Sequence, residues 1–195
     1  EGGLFIATAL IIGSLGTIPT AAHQVAVNLA SVTFMVPLGV AMATTVRVGN
    51  AVGRGDAAGL RWAGAAGYAI TLITQAVSAL ILLFGAPWIA TVWTSDAAVA
   101  ALAVQLMLLA AAFQFSDGIQ AASAGALRGM KDTRMPMLIT VLAYWGLGMP
   151  MGYWLGIVHG QGAAGMWVGL IVGLTGAAVL LSWRFQVLSK RLLLA

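Results

Sequence analysis

Charged residues are scarce in this sequence, and cysteine is absent. Only 7% of the 195 residues are charged, whereas 61% are hydrophobic. Because a soluble globular domain is about one-quarter charged, this composition predicts an integral membrane protein. The absence of cysteine excludes disulfide frameworks, cysteine-ligated zinc and thiol catalysis.

The sequence also lacks the short motifs of several enzyme classes. It has no G-x-S-x-G, Walker loop or H-E-x-x-H motif, so hydrolase, ATPase and zinc-protease functions have no support. The segment GRGD at 53–56 fits the G-x-G-D pattern of intramembrane aspartyl proteases, but Asp56 stands in a basic connection without a Tyr-Asp partner. Lysine and arginine occur in short clusters between apolar stretches, which argues against a nucleic-acid surface. We expect neither an enzyme nor a nucleic-acid-binding protein.

Six apolar stretches are long enough to be membrane helices, since crossing the hydrocarbon takes about 20 residues. The connections between them carry turn and capping residues, and "PWIATVW" is expected to lie along the outer surface. Pro37 and Pro150 fall inside helices and predict kinks. The sequence begins with Glu instead of Met, so we expect a fragment. The predicted helix cores are approximately 1–15, 23–46, 62–84, 97–127, 135–158 and 163–183.

The basic residues predict the orientation of these helices. Six alternating spans place all nine on one side, which is cytoplasmic by the positive-inside rule. The C-terminus and the basic loops are then cytoplasmic, with "GTIPTAAHQ" and "HGQG" outside. The nine residues are Arg47, Arg54, Arg61, Arg128, Lys131, Arg134, Arg184, Lys190 and Arg191.

Glycines recur every four residues in the last two predicted helices. Spacing of four keeps them on one face of a helix, where they allow two backbones to approach closely. We therefore predict a tight antiparallel hairpin of these helices, with chance spacing in a glycine-rich chain as the alternative. The two series are Gly148, Gly152, Gly156 and Gly160, followed by Gly165, Gly169 and Gly173.

Asp117 interrupts a long apolar stretch near its middle. It precedes Arg128 by 11 residues, which places it roughly 16 Å from the cytoplasmic end of its helix. An aspartate at the bilayer centre costs about 2.5–3.5 kcal/mol on insertion scales, so it should face protein or water. Gln114 and Gln120 flank it at spacings of three and predict a polar stripe that faces an internal cavity. A proton, Na⁺ or a cationic ligand could each neutralise the carboxylate, although a protonated Asp could instead serve helix packing alone.

Other polar residues give weaker signals. Glu1 is expected about 22 Å deep if its helix ends outside near Gly16, which puts it within reach of Asp117. Gln24 and Asn28 begin the second predicted helix with His23, where a polar start is the ordinary expectation.

Three stretches resemble the C-terminal half of multidrug and toxic compound extrusion (MATE) transporters of the NorM type. They are EGGLF at the start, AAHQVAVNLASVTFMVPLGVAMATTVRVGNAVGRGD, and FQFSDGIQAASAGALRGMKDTRMP. Their order and spacing match the family. The resemblance implies an all-α membrane protein of twelve helices in two lobes, of which this chain supplies helices seven to twelve. The seventh is truncated, and the N-terminal lobe of the same polypeptide, its expected partner, is absent.

The resemblance also implies a function. It implies cation-coupled antiport of amphipathic, often cationic drugs by alternating access in the lipid bilayer of a bacterial-type inner membrane, with no cofactor. Glu1 and Asp117 match residues implied in cation binding, and Gln24 matches a position of drug contact near the outer opening. Phe113 stands where some relatives carry a tyrosine near the coupling ion, so the match leaves Na⁺ and H⁺ coupling open. We therefore take Phe113 as a further candidate, with Gln114, Gln120 and Asn28 on the grounds given above.

Three other functions remain at this point. A lipid-linked oligosaccharide flippase of related architecture should have a basic central cavity, and no Lys or Arg is predicted at membrane depth. A membrane-embedded enzyme needs a catalytic pair at one depth, which Asp117 and Glu1 could imitate. A structural membrane subunit needs no ionisable residue at mid-depth.

Overall fold

A computed structural model describes residues 2–194, which form six helices without a strand. Helix α5 includes two π-helical segments, Tyr144–Gly148 and Trp154–Val158. Five helices are long and apolar enough to cross a membrane, while α1 is shorter. The predicted all-α fold is confirmed. The helices are α1 (Gly2–Gly13), α2 (Thr17–Gly53), α3 (Ala57–Trp93), α4 (Ala97–Gly129), α5 (Arg134–Val158) and α6 (Gly162–Leu194).

Two predicted connections are in fact helical. Most of GTIPTAAHQ belongs to α2, which begins directly after Gly16, a residue with φ of 123°. Pro19 fits there because the backbone N–H groups in the first turn of a helix have no acceptor within the helix. A proline, which has no N–H, therefore loses no hydrogen bond at this position. PWIATVW forms the last turns of α3, so the prediction that it lies along the surface is wrong. Only three residues, 94–96, separate α3 from α4.

Two aspartates act as helix caps. The Asp56 carboxylate accepts a hydrogen bond of 2.7 Å from the Gly59 N–H at the start of α3. Asp96 accepts one of 2.8 Å from the Ala98 N–H at the start of α4. Both bonds satisfy donors that a helix N-terminus leaves unpaired. The aspartate of GRGD is thus a structural residue in a connection between helices.

The turns before and after Pro150 widen locally into π-helix. Pro150 has no N–H, and its ring would clash with the carbonyl oxygen of Gly146 in a regular α-helix. The Met149 N–H instead donates to the Tyr144 carbonyl, and the His159 N–H to that of Trp154, each five residues back. The helix therefore remains continuous through the proline by carrying extra residues in these turns.

Helices α5 and α6 pack with their backbones in contact, as the glycine spacing predicts. A Cβ atom on Gly173 would lie 2.8 Å from the Gly148 Cα, and one on Gly165 would lie 2.5 Å from the Gly156 nitrogen. Gly169 faces Gly148 and Gly152 in the same way. The predicted hairpin is confirmed. Gly160 does not take part, because it lies in the turn with φ of 72° and open space around it.

Helix α4 lies at the centre of the bundle and packs against α2, α3 and α6. Its contact with α2 is close: the Thr45 hydroxyl donates to the Gly125 carbonyl over 2.9 Å. On another side, the Ser123 hydroxyl lies 2.7 Å from the Tyr68 hydroxyl of α3 and 2.9 Å from that of Ser182 of α6. Residue 117 is therefore carried by the most enclosed helix.

Candidate cation and drug site

A cavity of about 310 Å³ lies between α1, α2 and α4. Among the described residues, Asp117 supplies its one charged group, and Ser31 supplies its one other polar side chain. The remaining lining side chains are apolar, and three are aromatic. Such a cavity suits a cation with an apolar body, since the carboxylate can attract the charge and the rings can contact the rest. The lining residues are Phe5, Val27, Ala30, Ser31, Phe34, Phe113 and Asp117.

Asp117 is 8% exposed and faces this cavity. It precedes the end of α4 at Gly129 by 12 residues, or about 18 Å along the helix. This distance agrees with the roughly 16 Å expected from the sequence, and the side chain points into protein. A carboxylate here can hold either a proton or a charge matched by a bound cation.

The predicted polar stripe does not face one cavity. The Gln114 side chain is 2% exposed and packs toward α3, whereas Gln120 lines a separate groove near the end of α4 with Arg128 and Asp132. Three residues rotate a helix by about 300°, so successive members of the stripe turn by about 60°. Gln114 and Gln120 therefore differ by about 120° around α4, and only Asp117 reaches the cavity.

A buried polar cluster between α3 and α4 escaped the sequence reasoning. The Gln75 amide donates to the Gln114 backbone carbonyl over 2.8 Å. Within residues 2–194, Thr71 Oγ1, Gln75 Oε1 and both amide atoms of Gln114 are buried and have no hydrogen-bond partner. Thr71 and Gln75 are one turn apart, in a stretch that also contains Thr74 and Ser78. Gln75, the one amide side chain of α3, was the signal that could have found this cluster.

Phe113 lines the cavity and belongs to a row of stacked aromatic rings. Its ring centroid lies 5.9 Å from that of Phe5 and 5.5 Å from that of Trp167, both in edge-to-face geometry. Trp167 is fully buried and contacts the ring of His23 at 5.9 Å. The row joins α1, α4, α6 and α2 and fixes the wall beside Asp117.

His23 is a buried residue, not an exposed helix start. The Trp167 indole N–H donates to His23 Nδ1 over 3.1 Å, so Nδ1 carries no proton in this arrangement. The expectation of a polar helix start fails because α2 begins at Thr17, which puts His23 in its second turn. Sequence spacing gave no sign of its partner, which is 144 residues away.

Gln24 and Asn28 lie on the same side of α2 as the cavity-lining Ser31, nearer the start of the helix. Gln24 is exposed and Asn28 half-buried, and neither lines the cavity. Their position fits a route toward the cavity better than the site itself. Glu1, the second predicted carboxylate, lies outside the described residues.

Known proteins match this chain in sequence. The MatE family model matches residues 1–154. A protein named "Probable multidrug resistance protein NorM" from Xanthomonas campestris pv. campestris is 63% identical over 192 residues, or 98% of this chain and 42% of that protein. One of the same name from Xylella fastidiosa strain 9a5c is 56% identical, over 98% of this chain and 41% of that protein. The chain thus spans about two fifths of the length of these relatives.

Solved structures share the fold. The crystal structure of the eukaryotic MATE transporter AtDTX14 superposes with a TM-score of 0.88 at 21% sequence identity, over 97% of this chain and 44% of that one. This likeness concerns the arrangement of the helices, whereas the family match and the bacterial relatives concern the sequence. Taken together with the six-helix bundle, these matches show that the chain belongs to the MatE family of membrane transporters.

Proposed function

We propose that the chain is the C-terminal six-helix lobe of a cation-coupled multidrug antiporter that exports amphipathic cations. The observation that carries this proposal is Asp117, a buried carboxylate in a cavity whose other described lining residues are all apolar or aromatic except Ser31. The multidrug-resistance names of the bacterial relatives support it.

Exchange at Asp117 follows from electrostatics. An ionised carboxylate attracts a cationic drug into a cavity of low polarity, and binding of H⁺ or Na⁺ removes that attraction. The drug and the coupling ion then compete for the Asp117 carboxylate, so the binding of one releases the other. Glu1 is a second carboxylate for the same competition. Ser31 adds a hydroxyl oxygen that could contact Na⁺ beside Asp117.

Vectorial transport needs a second lobe. A ligand shifts a transporter between inward and outward states only by its differential affinity for them. Such states arise when one lobe rocks against the other around a site near the membrane centre. We therefore expect the cavity to face the N-terminal lobe and to open alternately to each side, with the basic loops in the cytoplasm.

The charge of the cavity separates this function from a lipid-linked oligosaccharide flippase. A flippase must hold an anionic diphosphate, which calls for basic side chains. The residues that line the cavity at Asp117 include none. A cation is therefore the better matched cargo.

The test is cation-driven efflux by the full-length transporter in proteoliposomes, with ethidium as the cargo. Asp117→Asn keeps the shape of the side chain and removes the charge, so we expect efflux to fall by at least about tenfold, whereas Asp117→Glu should retain part of it. Asp96→Asn is the matched control, because asparagine also caps a helix and this site is remote from the cavity. If Asp117→Asn exported ethidium at the wild-type rate, the proposal would be contradicted, whatever the rate of the Asp96→Asn control.

A further inference from the structure

A second groove lies at the basic end of the bundle, between the first turns of α3 and the last turns of α6. Its volume is about 330 Å³. A shallower depression of about 350 Å³ beside Trp62 shares Arg61 and Ala65 with it, so the two form one surface. None of these residues lines the cavity at Asp117. We call this surface the α3–α6 groove; its main lining residues are Arg61, Ala65, Tyr68, Phe185, Gln186 and Lys190.

The α3–α6 groove carries unbalanced positive charge. Arg61 and Lys190 are exposed, and none of the described residues that line the surface carries a carboxylate. In the part of the chain that the structure describes, ion pairs join Arg54 to Asp56 and Arg184 to Asp132, so Arg61 and Lys190 have none. Gln186 adds an exposed amide that can hydrogen-bond to an anion. Two cations and an amide around one depression fit a phosphate group.

The surroundings of the groove are those of a membrane interface. Trp62 is 77% exposed at its edge, and tryptophan is enriched where hydrocarbon meets headgroups. From there the outer side of α3 continues as a strip of exposed apolar residues that includes Ile70, Ile73 and Val77. A molecule that placed a phosphate between Arg61 and Lys190 could therefore lay an apolar chain along α3.

We propose that the α3–α6 groove binds an anionic phospholipid. Its phosphate lies between Arg61 and Lys190, its headgroup reaches Gln186, and its acyl chains follow the apolar strip of α3. Basic pockets between membrane helices bind anionic headgroups in this manner. This proposal is independent of what the cavity at Asp117 transports.

Native mass spectrometry of the full-length transporter tests this proposal, with phosphatidylglycerol and phosphatidylcholine as probes. We expect wild type to retain one phosphatidylglycerol in preference to phosphatidylcholine. The double variant Arg61→Gln/Lys190→Gln should bind that lipid about 25-fold more weakly, since each basic residue near a membrane surface contributes about fivefold. Arg61→Lys/Lys190→Arg should bind as wild type does.

The control Arg47→Gln/Arg134→Gln loses the same charge. Both arginines are exposed at the same end of the bundle and line neither part of the groove. We expect its affinity for phosphatidylglycerol to stay within about twofold of wild type. An equal loss of affinity in both double variants would show that diffuse surface charge, and not the α3–α6 groove, attracts the lipid. Equal retention of the two lipids by wild type would show that the groove is not a site for anionic phospholipid. Lys190→Glu, a single change at an exposed side chain, provides the test if the double variant does not fold.

Discussion

The indole N–H of Trp167 donates a hydrogen bond to His23 Nδ1, and both side chains are buried. Trp167 also packs edge-to-face on Phe113, which lines the cavity beside Asp117. One hydrogen bond between α2 and α6 therefore determines where an aromatic wall of the candidate site lies. The same hydrogen bond therefore stabilises the packing of α2 on α6 and supports the wall of the cavity that holds Asp117.

Trp167→Phe should destabilise the protein, because it leaves His23 Nδ1 buried without its donor. We expect the free energy of unfolding to fall by about 1–3 kcal/mol, as measured by SDS titration of the full-length protein in mixed micelles. Trp88→Phe is the control, since Trp88 is 73% exposed. An unchanged unfolding midpoint for Trp167→Phe would show that the hydrogen bond is dispensable.

Gly169→Ala tests the contact between α5 and α6. A methyl group there would lie 2.6 Å from the Gly148 carbonyl oxygen, so the helices must separate, at a cost of about 1–3 kcal/mol in the free energy of unfolding. Gly146→Ala introduces the same methyl group where nothing lies within 4 Å. It should be neutral or stabilising, because alanine favours helix over glycine by about 1 kcal/mol. Only Gly169→Ala should therefore lower the unfolding midpoint, and an equal loss in both variants would argue against tight packing.

The ion pair between Arg184 and Asp132 should matter more than that between Arg54 and Asp56. The first joins α6 to the α4–α5 connection at 2.5 Å, with side chains only 28% and 16% exposed. The second spans 3.6 Å between side chains 64% and 42% exposed. We expect Arg184→Gln to lower the free energy of unfolding by about 1–3 kcal/mol.

The same measurement on Arg54→Gln should show a loss of less than about 1 kcal/mol, because water screens an exposed pair. A double-mutant cycle with Asp132→Asn isolates the interaction of the first pair. A coupling energy near zero in that cycle would mean that Arg184 acts through packing alone.

Phe34→Ala should weaken the binding of aromatic cations. Phe34 lines the cavity that holds Asp117, and a ring beside a desolvated cation contributes about 1 kcal/mol. We expect the KM for ethidium efflux to rise about fivefold with the coupling to the cation gradient retained. Phe84→Ala removes a ring that is 82% exposed on α3 and serves as the control. A KM that rises equally in both variants would count against a specific contact.

Much of the helical frame could be predicted from the sequence, because its signals are local. Apolar runs gave the six helices, distance from Arg128 gave the depth of Asp117, and spacing of four gave the glycine contact of α5 with α6. Helix ends were less accurate. Pro19 and Pro87 suggested turns but are accommodated within helices.

The composition of the site could not be predicted, because it depends on contacts between distant segments. Nothing local distinguishes Phe5 and Phe34 from other apolar residues, and the bond from Trp167 to His23 joins opposite ends of the chain. Spacing alone also grouped Gln114 and Gln120 with Asp117, although helix rotation directs the three to different surroundings. The position of Asp117 along its helix could therefore be read from the sequence, whereas the direction in which each side chain points could be read only in part.

The glycine contacts between α5 and α6 limit how the lobe can change shape. Where backbone lies against backbone, a small shift along the axis drives each Cα onto the opposing chain, and a matching arrangement recurs only after four residues, about 6 Å away. These two helices can therefore not slide past each other in small steps. Any change in the shape of the lobe should therefore move α5 and α6 together as one unit.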